Sequence, residues 1–217
     1  MPWNAELMLA GSAVASFDLL VKLGLLPHLM PDVAKAVAES PDSPGARLLR
    51  LGLENTDERV RADKSVTPTF LFAVLLWPAI LRAAGAPHGP LPSDPQLLLT
   101  AIDEVLGRQL RRITIPKRFG LPMRDLVLLQ PRFERRSGRR ALRLLEHPKF
   151  RAAYDLLLLR AAAGEIDPEL AAWWTRLQQL PEDERIAEVE NRPTESGATP
   201  PRKRSRSRRR RKRPPST

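Results

Sequence analysis

The sequence predicts an all-α fold, a bundle of about eight or nine helices followed by a disordered basic C-terminal tail. At Ser43, Thr67, Asp94 and Asp167, a helix-capping residue is followed directly by proline. The side-chain oxygen of such a residue accepts an unpaired backbone N–H, and proline has no N–H to leave unpaired. The segments that follow are rich in Ala, Leu and Arg, with apolar residues three and four positions apart. The sequence lacks the alternating Val/Ile/Thr runs that are typical of strands.

The capping and spacing signals place the helices in order along the chain. They are expected near residues 5–24, 31–39, 44–62, 68–84, 95–112, 121–136, 139–146, 148–163 and 168–179. Pro78 is expected to kink or split its helix, because it removes a backbone hydrogen bond. Trp173 and Trp174 point about 100° apart on a helix, so one is expected in the core and the other partly exposed.

Composition divides the chain into four parts. Residues 1–84 are predicted to form a helical bundle, 85–94 a loop, 95–180 a basic helical domain, and 181–217 an acidic and then arginine-rich disordered tail. Within the tail, residues 182–190 are compatible with a short acidic helix. From Asn191 onwards, aliphatic side chains are too few to bury a core.

The charge is unevenly distributed. The net charge is +11, yet residues 202–213 hold ten Lys/Arg and no acid, and residues 108–151 hold fourteen Lys/Arg against three acids. The rest of the chain is therefore net acidic. Concentrated positive charge favours a polyanionic partner such as RNA, DNA or a phospholipid surface. The chain has no cysteine, which excludes disulfides and thiolate metal sites and fits a cytoplasmic location.

The arginines between residues 132 and 143 follow spacings of 3, 1, 3, 1 and 3, which is one face of a helix. Phe133 and Leu144 fall on the other side, although Ser137-Gly138 indicates a turn that would still cluster the arginines. The alternative is a face that contacts only solvent. Because nearly all charges on this face are positive, binding to a polyanion or to an acidic protein surface is favoured. Arginine in particular suits bidentate contact with phosphate. The predicted nucleic-acid-binding residues are Arg111, Arg112, Lys117, Arg118, Arg124, Arg132, Arg135, Arg136, Arg139, Arg140, Arg143, Lys149, Arg151, Arg202, Lys203, Arg204, Arg206, Arg208, Arg209, Arg210, Arg211, Lys212 and Arg213.

No complete catalytic motif is found in the sequence. Gly11-Ser12 followed by Asp18 faintly echoes the Gly-Ser…Asp-x-Asp turn of nucleotidyltransferases, but Leu20 occupies the second acidic position. Glycine-rich phosphate loops, zinc patterns and Ser-His-Asp sets are absent from the sequence. The longest apolar run, residues 70–81, is twelve residues long and contains a proline, which is too short for a membrane span. No catalytic residue, metal ligand or membrane contact is therefore predicted.

Several segments resemble the C-terminal region of bacterial poly(A) polymerase. They are residues 115–119 (IPKRF), 121–125 (LPMRD), 129–132 (LQPR), 136–161 (RSGRRALRLLEHPKFRAAYDLLLLRA), 24–27 (GLLP), 55–57 (NTD) and 68–73 (PTFLFA). Trp173-Trp174 and the arginine-rich end also fit this resemblance, which extends over nearly the whole chain.

The resemblance implies a role in polyadenylation. Members of the family add AMP from ATP to RNA 3′ ends with two metal ions in an N-terminal nucleotidyltransferase head, and the tails promote RNA decay. Because the head motifs are missing here, we expect an RNA-holding piece with no cofactor of its own, ATP and Mg²⁺ being bound by the head. Expected partners are RNA, a separately encoded head, and an RNA helicase or degradation machinery. The alternatives are a stand-alone RNA-binding or protein-interaction module, and part of a CCA-adding tRNA nucleotidyltransferase.

Overall fold

The computed structural model describes residues 8–88, 91–92 and 94–192, and the description below covers these residues. They form eleven α-helices and one 3₁₀ helix at Gln130–Arg132, with no strand, so the predicted all-α class is confirmed. The α-helices are α1 Ala13–Lys22, α2 Leu26–Leu29, α3 Pro31–Glu39, α4 Pro44–Arg61, α5 Pro68–Ala83, α6 Pro95–Leu110, α7 Lys117–Leu128, α8 Arg139–Leu145, α9 Phe150–Ala162, α10 Pro168–Gln179 and α11 Glu182–Glu190. The predicted tail residues 202–213 lie outside the described residues.

The four predicted helix starts are confirmed. Ser43 Oγ accepts from the backbone N–H of Ala46 at 3.2 Å. The side chain of Thr67 accepts from Phe70 N at 3.4 Å. Asp94 and Asp167 each accept from the N–H two residues later, at 2.9 Å. In each case proline occupies the first helical position, so these boundaries were set by local sequence.

Helix α5 lies at the centre of the molecule. All its residues from Leu71 to Leu81 are buried, and it packs against α3, α4, α6 and α7. Buried residues on both sides of residues 85–94 belong to one hydrophobic cluster. The prediction that Pro78 splits its helix is wrong, because α5 continues through Pro78 as one helix.

Two glycines allow α4 to lie close to α5. A Cβ atom on Gly52 would lie 2.4 Å from Val74 Cγ1, and one on Gly45 would lie 3.2 Å from Pro78 Cα. Real carbon atoms do not approach to 2.4 Å, so a side chain at Gly52 would push the two helices apart.

The helix predicted at 121–136 is wrong in its bounds. Helix α7 begins earlier, at Lys117, and ends at Leu128, before the 3₁₀ helix. Pro131 explains the early end, because it has no N–H for the helical hydrogen bond and disfavours helical geometry at the residue before it. The predicted start of the first helix is also corrected, since α1 begins at Ala13.

The start of the predicted tail is not disordered, because residues 182–190 form α11, the short acidic helix that their sequence allowed. Residues 182–190 are helical, and Val189 is fully buried. Trp173 Nε1 donates to Glu188 Oε1 at 2.8 Å, and Gly138 N–H donates to the carbonyl of Val189 at 2.8 Å. Because α11 contacts Trp173, both Trp173 and Trp174 are buried, and the prediction of one exposed indole is wrong.

Candidate nucleic-acid interface

Five exposed arginines form what we call the arginine cluster: Arg132, Arg135, Arg139, Arg140 and Arg143. Their spacing predicted a single helical face, but they do not share one continuous helix; the turn that Ser137-Gly138 indicated interrupts it. Arg132 closes the 3₁₀ helix, Arg135 lies in the following turn, and the other three are on α8. The turn ends at Gly138, whose φ of +65° favours glycine.

The apolar side chains of the segment 132–145 pack in the hydrophobic core. Phe133 is fully buried, and its ring lies 5.1 Å from that of Trp174 in an edge-on arrangement. Trp174 Nε1 also donates to the carbonyl of Phe133 at 2.9 Å. Ala141 and Leu144 of α8 are buried as predicted. The backbone that carries the arginine cluster is therefore held by aromatic packing, and the guanidinium groups face outward.

The positive charge of the arginine cluster is not neutralised within the described part of the chain. Twelve ion pairs are recorded among the residues described, and none includes Arg132, Arg135, Arg139, Arg140 or Arg143. Like charges at Arg139 and Arg143, one helical turn apart, repel each other. A chain of phosphates supplies the counter-charge that such a surface lacks.

Three of the other predicted residues have acidic partners. Arg124 lies 3.1 Å from Asp103, Lys149 pairs with Asp125, and Arg151 lies 3.3 Å from Asp155. Arg124 and Lys149 are also half-buried. These side chains are therefore less available to an external anion than the arginine cluster.

The remaining predicted residues before the tail fall at two places. Arg111, Arg112, Lys117 and Arg118 are exposed in the connection between α6 and α7 and at the start of α7. The guanidinium of Arg118 lies 4.8 Å from the ring centroid of Phe119. Arg136 is half-buried between the members of the arginine cluster.

A buried charged network, which sequence reasoning missed, lies behind the arginine cluster. Arg160 is 1 % exposed, and its Nε donates to Glu165 Oε1 at 2.8 Å. Trp77 Nε1 donates to the other oxygen of Glu165 at 2.7 Å, and the Arg160 guanidinium lies 5.4 Å from the Trp77 ring centroid. Gln130 Oε1 accepts from Arg160 Nη1 at 3.3 Å. The sequence signal was Arg160 directly after the leucine run 156–159, where the helical spacing runs into the core.

This network joins elements that are distant in sequence. It links α5 through Trp77, the 3₁₀ helix through Gln130, and α9 and the connection after it through Arg160 and Glu165. The amide of Gln130 also donates to the carbonyl of Ala153 at 2.9 Å. The segment that leads into the arginine cluster is thereby fixed to the central helix.

Within the described ranges, no helix has both the length and the apolar character needed to cross a membrane.

The described residues thus form an all-α scaffold that presents an arginine surface with no acidic partner among them, an arrangement typical of the class of proteins that bind polyanions. Comparison with known proteins narrows the class. Residues 93–213 match the family described as "Polymerase A arginine-rich C-terminus", and the chain belongs to that family. The resemblance noted from the sequence is confirmed.

Curated relatives agree with the family match. The chain is 39 % identical over 211 residues to Poly(A) polymerase I of Escherichia coli O6:H1, covering 94 % of this chain and 44 % of that protein. It is 38 % identical over 180 residues to Poly(A) polymerase I of Salmonella typhi, covering 81 % and 38 %. For the Haemophilus influenzae protein of the same name, identity is 34 % over 178 residues, covering 81 % and 39 %. The chain thus spans less than half the length of these relatives, and it is related to poly(A) polymerase.

Proposed function

We propose that this chain is the RNA-holding part of a poly(A) polymerase, an enzyme that adds AMP from ATP to RNA 3′ ends and so directs mRNA towards decay. The observation that carries the proposal is the arginine cluster, which is exposed and lacks acidic partners among the described residues. The family match and the name shared by the relatives supply the polynucleotide class.

The chemistry of binding follows from the guanidinium group. Each arginine presents a planar fork of N–H donors that fits two phosphate oxygens at once. The arginine cluster would therefore grip the backbone of the strand and not its bases, giving affinity with little sequence preference. The ten basic residues at 202–213 would add contacts of the same kind.

Catalysis is assigned to a nucleotidyltransferase head outside this chain, which would bind ATP and Mg²⁺. With ATP, Mg²⁺ and an RNA oligomer, the chain alone is expected to bind the RNA without extending it. Extension would mean that an active site within the chain was missed. An RNA helicase or degradation machinery remains a proposed partner, as does a separately encoded head.

The decisive test is a charge reversal of the arginine cluster. Together, the changes Arg135→Glu, Arg139→Glu and Arg143→Glu are expected to weaken binding of a single-stranded RNA at least about tenfold. With each lost phosphate contact, fewer counterions are released from the RNA on binding, and this release contributes to the affinity. Filter binding at two salt concentrations measures both the affinity and a shallower salt dependence. The melting temperature is expected to stay unchanged, because all three side chains are exposed.

A matched control reverses the same number of charges elsewhere. Lys22, Lys35 and Arg61 are exposed on α1, α3 and α4, and their reversal to Glu is expected to reduce affinity far less. Equal losses in the two triple variants would leave only a non-specific charge effect and would remove the arginine cluster as the binding face.

A second candidate is a protein-interaction module, because an acidic protein surface would also relieve the arginine cluster. A partner retained in a pull-down after nuclease treatment, and lost on reversal of the arginine cluster, would favour it.

A further inference from the structure

A groove lies where the two halves of the chain meet. Its walls come from α4, the start of α5 and α9, and it encloses a cavity of about 620 Å³. Cavities of about 300–1,000 Å³ are typical of sites for small organic ligands. The lining residues on which the argument depends are Asn55, Arg59, Phe70, Arg151, Asp155 and Leu158.

The groove combines apolar surface with positive charge. Phe70 is half-buried and Leu158 is 38 % exposed, so an aromatic ring and an aliphatic side chain line it from different helices. Arg59 donates through Nε and Nη2 to the carbonyl of Ser65, at 3.3 and 3.0 Å, which fixes its position. The Arg151 side chain pairs with Asp155 at 3.3 Å but is 75 % exposed, so its remaining N–H donors face the solvent. A flat, partly apolar ligand that carries an anionic group fits such a surface.

Two further groups supply hydrogen bonding. Asn55 is exposed, and no interaction with another described residue is recorded for its amide, which offers both donors and an acceptor. Burial raises the pKa of Asp155, while the neighbouring Arg151 and Arg59 act in the opposite direction. Among the described residues, Arg59, Arg151 and Asp155 are the titratable side chains that line the groove. The negative charge of Asp155 is offset by Arg151, which lies 3.3 Å from it.

The groove is connected to the arginine cluster through the start of α9. Phe150, the first residue of α9, packs against Phe133 with their ring centroids 5.8 Å apart. Arg151 follows directly and lines the groove. The start of α9 therefore packs against the segment that carries the arginine cluster and also contributes Arg151 to the lining of the groove.

We infer that this groove binds one nucleotide of the RNA strand, with its base against Phe70 and Leu158 and its phosphate near Arg59 and Arg151. The inference rests on the proposed function, because the strand that supplies the nucleotide is the one held by the arginine cluster. It adds a site for a base to a surface that otherwise contacts only phosphates. A free mononucleotide has the same chemistry, and the experiment separates the two sources.

The test uses the full chain and a single-stranded RNA oligomer that contains 4-thiouridine, which crosslinks on irradiation to the residues it touches. Crosslinks are expected within residues 55–70 and 148–162, in addition to the arginine cluster. Ala162 is exposed, lines the groove, and ends α9. Ala162→Trp is expected to lower the groove crosslinks about fivefold or more, since contact between a base and an aromatic site is a substantial part of single-strand binding. Ala38→Trp, on an exposed position of α3, is the matched control and is expected to change nothing.

Three results would overturn the inference. RNA that binds with crosslinks confined to residues 132–143 would remove the groove and leave the proposed function standing. RNA that does not bind at all would remove both. AMP bound in the groove, by competition or calorimetry, without any RNA crosslink there would assign the groove to a free mononucleotide and not to the strand.

Discussion

Both Arg160 and the arginines of α8 lie in the segment 95–180 that was predicted as a basic domain, yet their surroundings are opposite. Arg160 is 1 % exposed and is held by Glu165, Gln130 and the Trp77 ring. Arg139, Arg140 and Arg143 are exposed and have no acidic partner among the described residues. The comparison shows that a count of positive charges does not measure the capacity to bind an anion. An exposed arginine with no acidic partner has its charge more available to an external anion than a buried, paired arginine has.

The two regions also differ in what they contribute to the fold. A buried charge is expensive to desolvate, so Arg160 is tolerated only with its carboxylate in place. The arginines of α8 cost little, because repulsion between like charges one turn apart is only about 0.2–0.5 kcal/mol per pair. The buried arginine is thus expected to matter for stability and the exposed ones for binding.

The largest effect is expected from Glu165→Gln. This change leaves Arg160 buried without its counter-ion, and removing one partner of a buried pair typically lowers the free energy of unfolding by about 3–5 kcal/mol. Urea denaturation followed by circular dichroism measures the loss. RNA affinity, measured where the variant is still folded, is expected to remain that of the parent chain.

Glu169→Gln is the matched control for that change. Glu169 pairs with Arg176 at 2.5 Å, but both side chains are more than half exposed. Exposed pairs contribute little, so this variant is expected to unfold almost as the parent does. If both variants lose the same stability, the contrast between buried and exposed charge is wrong.

An intermediate effect is expected from Gly138→Ala, in the turn that precedes α8. Gly138 has φ +65° and ψ −167°, a conformation that is nearly restricted to glycine. Forcing alanine into it costs about 1–3 kcal/mol. Gly107→Ala, inside α6 with open space around it, is expected to change stability in the opposite direction. Thermal unfolding compares them, and an equal gain in both variants would show that the turn before α8 is not constrained.

The smallest effect is expected from Asp155→Asn and depends on pH. Burial raises the pKa of Asp155, so the native state binds this proton more tightly than the unfolded chain. Stability is therefore lost as pH rises from the ordinary pKa of 3.8 through the raised value. Asparagine cannot ionise, so Asp155→Asn is expected to raise the melting temperature relative to the parent at pH 7 more than at pH 3.

Glu39→Gln gives the opposite sign and serves as the comparison. The hydrogen bond from Arg82 lowers the pKa of Glu39, so its carboxylate stabilises the fold above the ordinary pKa. This variant is expected to lower the melting temperature slightly at pH 7 and to have no effect at acidic pH. A gain in melting temperature at pH 7 in both variants would contradict the opposite effects expected from burial at Asp155 and from the Arg82 hydrogen bond at Glu39.

The features that the sequence predicted are those set by local rules. The caps at Ser43, Thr67, Asp94 and Asp167 need only a side chain and the next turn of helix, and all four are present. The exposure of the arginine cluster was also predictable, because its spacing opposes that of Phe133 and Leu144.

The features that were missed depend on partners far away in sequence. Arg160 is neutralised by Glu165, only five positions later, but both also contact Trp77, which lies 83 positions before Arg160 on another helix. The burial of Trp173 requires α11, a helix whose acidic composition resembled a disordered segment. The groove needs α4 and α9 side by side, and no spacing within one helix reports that.

The hydrogen bond from Gly138 to Val189 has a consequence for the end of the chain. It fastens α11 beside α8, so the segment after Arg192 starts close to the arginine cluster. Arg202 lies ten positions after Arg192, a contour of at most roughly 35 Å. If the arginine cluster and the basic residues 202–213 both bind the strand, as proposed, such a short tether makes them a bivalent binding site with an effective local concentration on the order of millimolar. One strand held by both would then dissociate much more slowly than from either element alone.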